Sequence, residues 1–161
     1  MLPVRILEGF KSVPKEVVGL CRPHTWEQLT TPPGNGLRSI RDLLVHMLAA
    51  ENGWIGHVIQ RNPLHWFEPA SFTSLDQILA TWTPQREATL GFIRGVTTQE
   101  RHARRPLPWN PSDSATIEEI LWHIVTHEQY HRGQISTRLG MLGRRDLPDY
   151  DLLRRAAGQK K

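Results

Sequence analysis

Four histidines carry the chemistry read from this sequence. His123, His127 and His131 sit four residues apart in the stretch Thr116–Gly140, TIEEILWHIVTHEQYHRGQISTRLG. Four residues make slightly more than one helical turn, so the three rings form a slowly rotating column. Ile120, Ile124 and Ile135 share that stripe, which predicts a column facing the core. Imidazole is a neutral, borderline-soft ligand suited to Zn, Cu, Fe and Ni. Two rings at i and i+4 can grip one ion, and His127 and His131 meet that spacing. His46 lies between Leu43 and Ala50 on the inward side of an earlier helix and is the candidate third ligand. Three ligands leave positions open for water or substrate, as in catalytic zinc sites. His123 is an alternative ligand, a neighbour of the ligands or a pocket wall. A single buried histidine reads most plainly as a hydrogen-bonded core residue. Three in one small core, each with two polar nitrogens to satisfy, point to a metal.

His127-Glu128-Gln129-Tyr130-His131 also matches H-E-x-x-H, in which the glutamate is a general base beside a zinc-bound water. The extended zincin pattern fails, because Gln134 and Thr137 stand where Gly and His are required. Glu128 has a plainer role available as an i,i+4 partner of Arg132 on the helix surface. Glu128 and Tyr130 are the candidates for acid–base work, although their places on the helix point them away from the ligand column. Trp54 and Trp122 could line an apolar pocket beside the histidines, although core or interface packing explains tryptophans equally well. Gly133, inside the helix, predicts a close approach by a neighbouring helix.

The rest of the chain must position these residues. Its 161 residues suggest one domain spanning 1–161, large enough to bury a core. No apolar run approaches the roughly 20 residues that span a bilayer, and the N-terminus shows no secretory pattern. With Cys21 as the lone cysteine, no intrachain disulfide can form and a cytoplasmic location is expected. Any thiol chemistry would borrow its sulfur from a small molecule. The net charge of +4 comes from scattered arginines, which gives little support for nucleic-acid binding.

Helical spacing runs through Leu2–Leu20, where Pro14 either kinks one helix or opens a second one capped by Ser12. Arg22–Leu37 reads as a loop. Ser39 caps a second helix that ends at Asn62-Pro63, and Arg61–Phe72 reads as another loop. Ser74 and Gln77 form a capping-box pattern before a third helix, with Pro84 predicting a kink. Thr97–Ala115 reads as a loop. Thr116 and Glu119 open the fourth helix, which Gly140 and Gly143 close. Leu147–Ala157 suggests a short terminal helix. No strand alternation is visible, so the expectation is an all-α antiparallel bundle.

SIRDLLVHMLAAENGWIGHVI (Ser39–Ile59) and TIEEILWHIVTHEQYHRGQISTRLGMLG (Thr116–Gly143) resemble the DinB/YfiT-like proteins, as does the ending LPDYDLL (Leu147–Leu153). The H-E-x-x-H-R-G-Q-I core is the most specific part, and Pro14 departs from the usual opening helix. The resemblance implies a four-helix bundle in an up-down-down-up arrangement, often a homodimer, with a divalent metal on the equivalents of His46, His127 and His131. It also implies thiol-dependent transferases and isomerases that use low-molecular-weight thiols. The leading expectation is therefore one Zn, Ni or Fe ion serving a thiol S-transferase or hydrolase that acts on small electrophilic substrates. A non-catalytic metal-binding stress protein and a zincin-like hydrolase are the alternatives.

Overall fold

The computed structural model describes residues 10–150. Its helices are α1 (Val13–Cys21), a short α2 (Trp26–Thr30), α3 (Ile40–Glu51), α4 (Leu75–Gly95), a one-turn α5 (Thr98–Arg101) and α6 (Ile117–Met141). α1, α3, α4 and α6 form a four-helix bundle, in which α3 packs against α6 and α1 against α4. No helix among the described residues is long and apolar enough to cross a membrane.

Pro14 sits in the first turn of α1, where a missing N–H costs nothing, and so opens the helix. Ser12 precedes it but donates to the Glu16 carboxylate instead of capping. The earlier part of the predicted first helix, residues 2–9, lies outside the described residues. α2 occupies a predicted loop. Thr25 accepts from the Gln28 N–H, and the Gln28 side chain returns to the Thr25 N–H. Ser39 caps α3 by accepting from the Asp42 N–H at 3.1 Å.

Beyond Glu51 the helix widens into a π-helical segment, Asn52–Ile59, which holds Gly53 and Gly56. It ends where Arg61 takes the left-handed φ of 61°. A 3₁₀ turn, Pro69–Ser71, interrupts the next loop. Ser74 caps α4, but the Gln77 side chain accepts from the Thr73 N–H at 2.9 Å, one residue before the box expected from sequence. Pro84 lies within α4 without ending it.

The largest departure from expectation is in 97–115. After α5, an antiparallel hairpin pairs β1 (Arg104–Leu107) with β2 (Asn110–Thr116), with a register shift at Pro106/Leu107. Pro106, Pro108 and Pro111 remove the alternation and the donors by which strands are usually read. α6 opens on a reciprocal Thr116–Glu119 box. It closes on Gly143, at φ 94°. The Arg144 N–H reaches Leu139 O and the Gly143 N–H reaches Gly140 O, the paired bonds of a Schellman ending. The chain has no helical turn from Arg144 to Tyr150. The rest of the terminal helix expected from Leu147 lies outside the described residues.

Two apolar clusters make the core. One gathers Val17, Leu44, Leu48, Trp82, Ile135 and Leu139. The other gathers Ile55, Ile59, Ile120, Leu121, Ile124 and Val125. The close approach predicted at Gly133 is absent, since a Cβ built there would meet nothing within 4 Å.

Candidate metal centre

α3 and α6 face each other, and the meeting point holds the three histidines. His46 comes from the middle of α3, and His127 and His131 from consecutive turns of α6. One ligand nitrogen from each ring lies within 4.8 Å of the others. His127 Nε2 is 3.1 Å from His46 Nε2 and 3.1 Å from His131 Nε2. Two nitrogens at about 2.1 Å from one ion, at angles of about 90–109°, stand about 3.0–3.4 Å apart. Two of the three separations therefore match a single ion, and the third lies within 4.8 Å.

Proton bookkeeping supports the fit. His131 Nδ1 lies 2.8 Å from Gln134 Oε1. A ring N–H donated there leaves Nε2 of His131 as a lone pair aimed at His127. His127 Nε2 has one in-plane direction for a proton or a lone pair, yet it faces two ring nitrogens. A cation shared by all three satisfies them together.

The rings are held neutral. Burial, the charge of Arg38 and His131 together push His46 down to about 4. Burial, then His131, His46, His123 and Arg38, push His127 down to about 3. His131 is also lowered, by burial first, against the raising effect of Gln134. Neutral imidazole is the form that binds metal.

The column of three inward rings expected from sequence is only partly realised. His123 is exposed, with its ring centroid 5.6 Å from that of His127. It belongs to a chain of aromatic edges running outward, 5.0 Å from Trp54, which stands 5.4 Å from Trp109 at the hairpin turn. Trp54 thus borders the site through His123, whereas Trp122 lies exposed on α6. Tyr130 is exposed, with its ring 5.1 Å from that of His131.

Glu128 is not the surface residue that its spacing from Arg132 suggested. It is 2% exposed and paired with Arg86 of α4, which also binds Glu51 at 2.8 Å. Trp82 Nε1 donates to Glu51 at 2.7 Å, and Arg86 donates to Phe10 O. Burial, against the pull of Arg86 and with repulsion from Glu51, pushes Glu128 up to about 7. The glutamate of H-E-x-x-H is therefore committed to a buried ionic cluster that ties α3, α4 and α6 together.

Sequence reasoning missed Glu51 and Arg86, because helical periodicity assigns charges to the outside. The i,i+4 spacing of Trp82 and Arg86 was the available signal. It also missed Gln134, three residues after His131 and so its neighbour on the helix face. Cys21 is buried, which pushes its thiol up to about 12 and leaves it inert.

The profile of the DinB family matches residues 3–161. An uncharacterized protein, YizA of Bacillus subtilis, is 27% identical over 116 residues, 72% of each chain. The solved DinB-like protein YjoA of Bacillus subtilis superposes with a TM-score of 0.71 at 18% identity, over 91% of this chain and 97% of that one. YfiT of the same organism, described as a probable metal-dependent hydrolase with an unusual four-helix bundle topology, gives 0.60 at 20% identity, over 84% and 86%. A DinB-like protein of Bacillus cereus gives 0.71 at 13%, over 91% and 95%.

Proposed function

Because the chain belongs to the DinB family, we propose that it is a metal-dependent enzyme, with His46, His127 and His131 holding one divalent ion. The observation that carries this reading is the convergence of three neutral imidazole nitrogens from two helices on one point. The similarity to YfiT supports it. A bound divalent ion lowers the pKa of a coordinated water or thiol toward neutrality and so supplies a nucleophile.

The protein's own residues set the conditions. Gln134 fixes the tautomer of His131. Arg38, whose charge is felt by all three ligand rings, favours an anionic nucleophile or substrate at the mouth. His123, beside His127 and open to solvent, is a candidate to accept a proton. The inert Cys21 supports a small-molecule thiol, or water, as the attacking group on a small electrophile.

The test is metal analysis of protein purified without a histidine tag, followed by assays with thiol–electrophile pairs and with hydrolysable esters and amides. Wild-type protein is expected to hold about one Zn, Ni or Fe per chain, and His127→Ala/His131→Ala none. Equal metal content in the two proteins would sink the reading. A second reading, non-catalytic metal binding, is favoured by one observation: Glu128 is turned into the Arg86 cluster and is unavailable as a base. It predicts bound metal without turnover of any substrate pair.

The exposed face of α6 supports a homodimer. Trp122 and Tyr130 are 36% and 64% exposed, with the uncharged Thr126 between them. Large aromatics on an uncharged face are the composition of an interface core. Light scattering is expected to show a dimer that Tyr130→Glu dissociates; a monomeric wild-type chain would exclude it.

A further inference from the structure

A cleft opens between α2 with the loop that follows it and the C-terminal end of α6, about two helical turns along α6 from His131. Its volume is about 370 Å³, and its walls include Pro32, Pro33, Ile40 and Met141, with Glu27 at one side and Arg138 at another. Arg138 is 8% exposed. Its Nη1 donates to Gln134 O at 3.1 Å, while its Nε is buried without a hydrogen-bond partner. No ion pair to Arg138 is found among the described residues. Arg138 lines the cleft with no carboxylate paired to it among the described residues, and a guanidinium presents its N–H groups in a planar fork that matches one.

The surroundings narrow the ligand. Ile40 is the first residue of α3, whose N-terminus carries partial positive charge. Three carbonyls at the end of α6, those of Arg138, Leu139 and Gly140, accept from the N–H groups of Leu142, Arg144 and Gly143. Glu27 disfavours a second negative charge, which selects a monocarboxylate over a phosphate dianion. The proline, isoleucine and methionine walls suit an apolar body. Arg138 lies seven residues after His131 on α6, about 10.5 Å along the axis and on nearly the same face. Its charge reaches His131, as does that of Arg38.

We propose that this cleft is a subsite for a small monocarboxylate with an apolar body, anchored by Arg138, with its far end directed toward the histidine triad. The metal reading is needed only for what happens at that far end. Carboxylate binding is therefore tested on metal-free protein, where its failure leaves the metal reading intact and the reverse also holds.

The probe is 4-phenylbutyrate, titrated into the full ¹⁵N-labelled chain, with 4-phenylbutanol and inorganic phosphate as comparisons. Amide shifts are expected at Ile40 and from Arg138 to Leu142, with affinity at least about tenfold above that of the alcohol or phosphate, the range of a good charge-assisted contact. Arg138→Gln should lose about tenfold or more, and Arg138→Lys should recover part of the loss at an unchanged melting temperature. Shifts mapping elsewhere on the wild-type protein, equal binding of the alcohol, or phosphate binding as tightly as the carboxylate would each overturn the assignment. The wild-type map stands whether or not the glutamine variant folds.

Discussion

His131 is held from both sides, by Gln134 Oε1 at 2.8 Å on Nδ1 and by His127 Nε2 at 3.1 Å on Nε2. Such outer partners fix the ring orientation and raise ligand basicity, and their loss usually costs about 10–100-fold in metal affinity. Gln134→Ala is therefore expected to weaken divalent-ion binding by about that factor while leaving the melting temperature of the metal-free chain nearly unchanged. Competitive titration against a chelator measures it. Unchanged affinity would mean that Gln134 plays no part in orienting His131. The grouping of His46, His127 and His131 was legible in the sequence because an i,i+4 pair on an apolar stripe brings four ring nitrogens into a core that must satisfy them all. Gln134 and Arg138 were not, because a polar residue near a helix end carries no mark of what it faces. The column reading failed at His123 for a geometric reason. Each step of four residues turns the helix about 40° past a full turn, and three such positions drift off any one stripe.

α6 does two jobs with adjacent residues. His127 and His131 face α3 and His46, while Glu128, about 100° around the helix from His127, enters the cluster with Arg86 and Glu51. The short motif is thus split between the histidine cluster and the buried ionic one. Gly133 belongs to neither, since a Cβ there meets nothing within 4 Å. Glycine in a helix interior costs about 0.8–1.0 kcal/mol against alanine. Gly133→Ala should therefore raise the melting temperature by about 2–4 °C, the shift expected per kcal/mol at this size. A thermal scan checks it; a lower melting temperature would place the residue in a contact between two copies of the chain. Elements with caps were readable: Thr116 with Glu119 and Ser39 each name a helix start. The hairpin was hidden by its prolines. The π-helical Asn52–Ile59 was hidden because NGWIGHVI has ordinary helical periodicity, and a widened turn leaves no residue signature.

Folding of the whole molecule links these groups through protons. His46 and His127 ionise near 6.5 in the unfolded chain but near 4 and 3 when folded. Below pH 6.5 the unfolded chain takes up protons that the native rings refuse. Their stabilisation is therefore complete above about pH 6.5 and is lost as pH falls toward their folded values. Glu128 works in the opposite sense. Its folded value of about 7 lies above the ordinary 4.5, so its contribution is complete below about pH 4.5 and is lost as pH rises through 7. Between pH 4.5 and 6.5 the unfolded state gains up to two protons from the two rings, and the native state gains one at Glu128. The rings win, so stability of the metal-free protein should climb over that window, peak near pH 6.5 and decline slightly toward pH 8 as Glu128 ionises. Glu128→Gln removes the opposing carboxylate, which should steepen the acid-side climb and flatten the alkaline decline. A divalent ion, which competes with protons for the same nitrogens, should add most stability above pH 6 and little below 4. Urea unfolding midpoints measured from pH 4 to 8, with and without the ion, decide it. A metal-free midpoint that rises as pH falls from 6.5 to 4.5 would show that the three rings are not held neutral against one another, and the argument for a shared cation would fall with it.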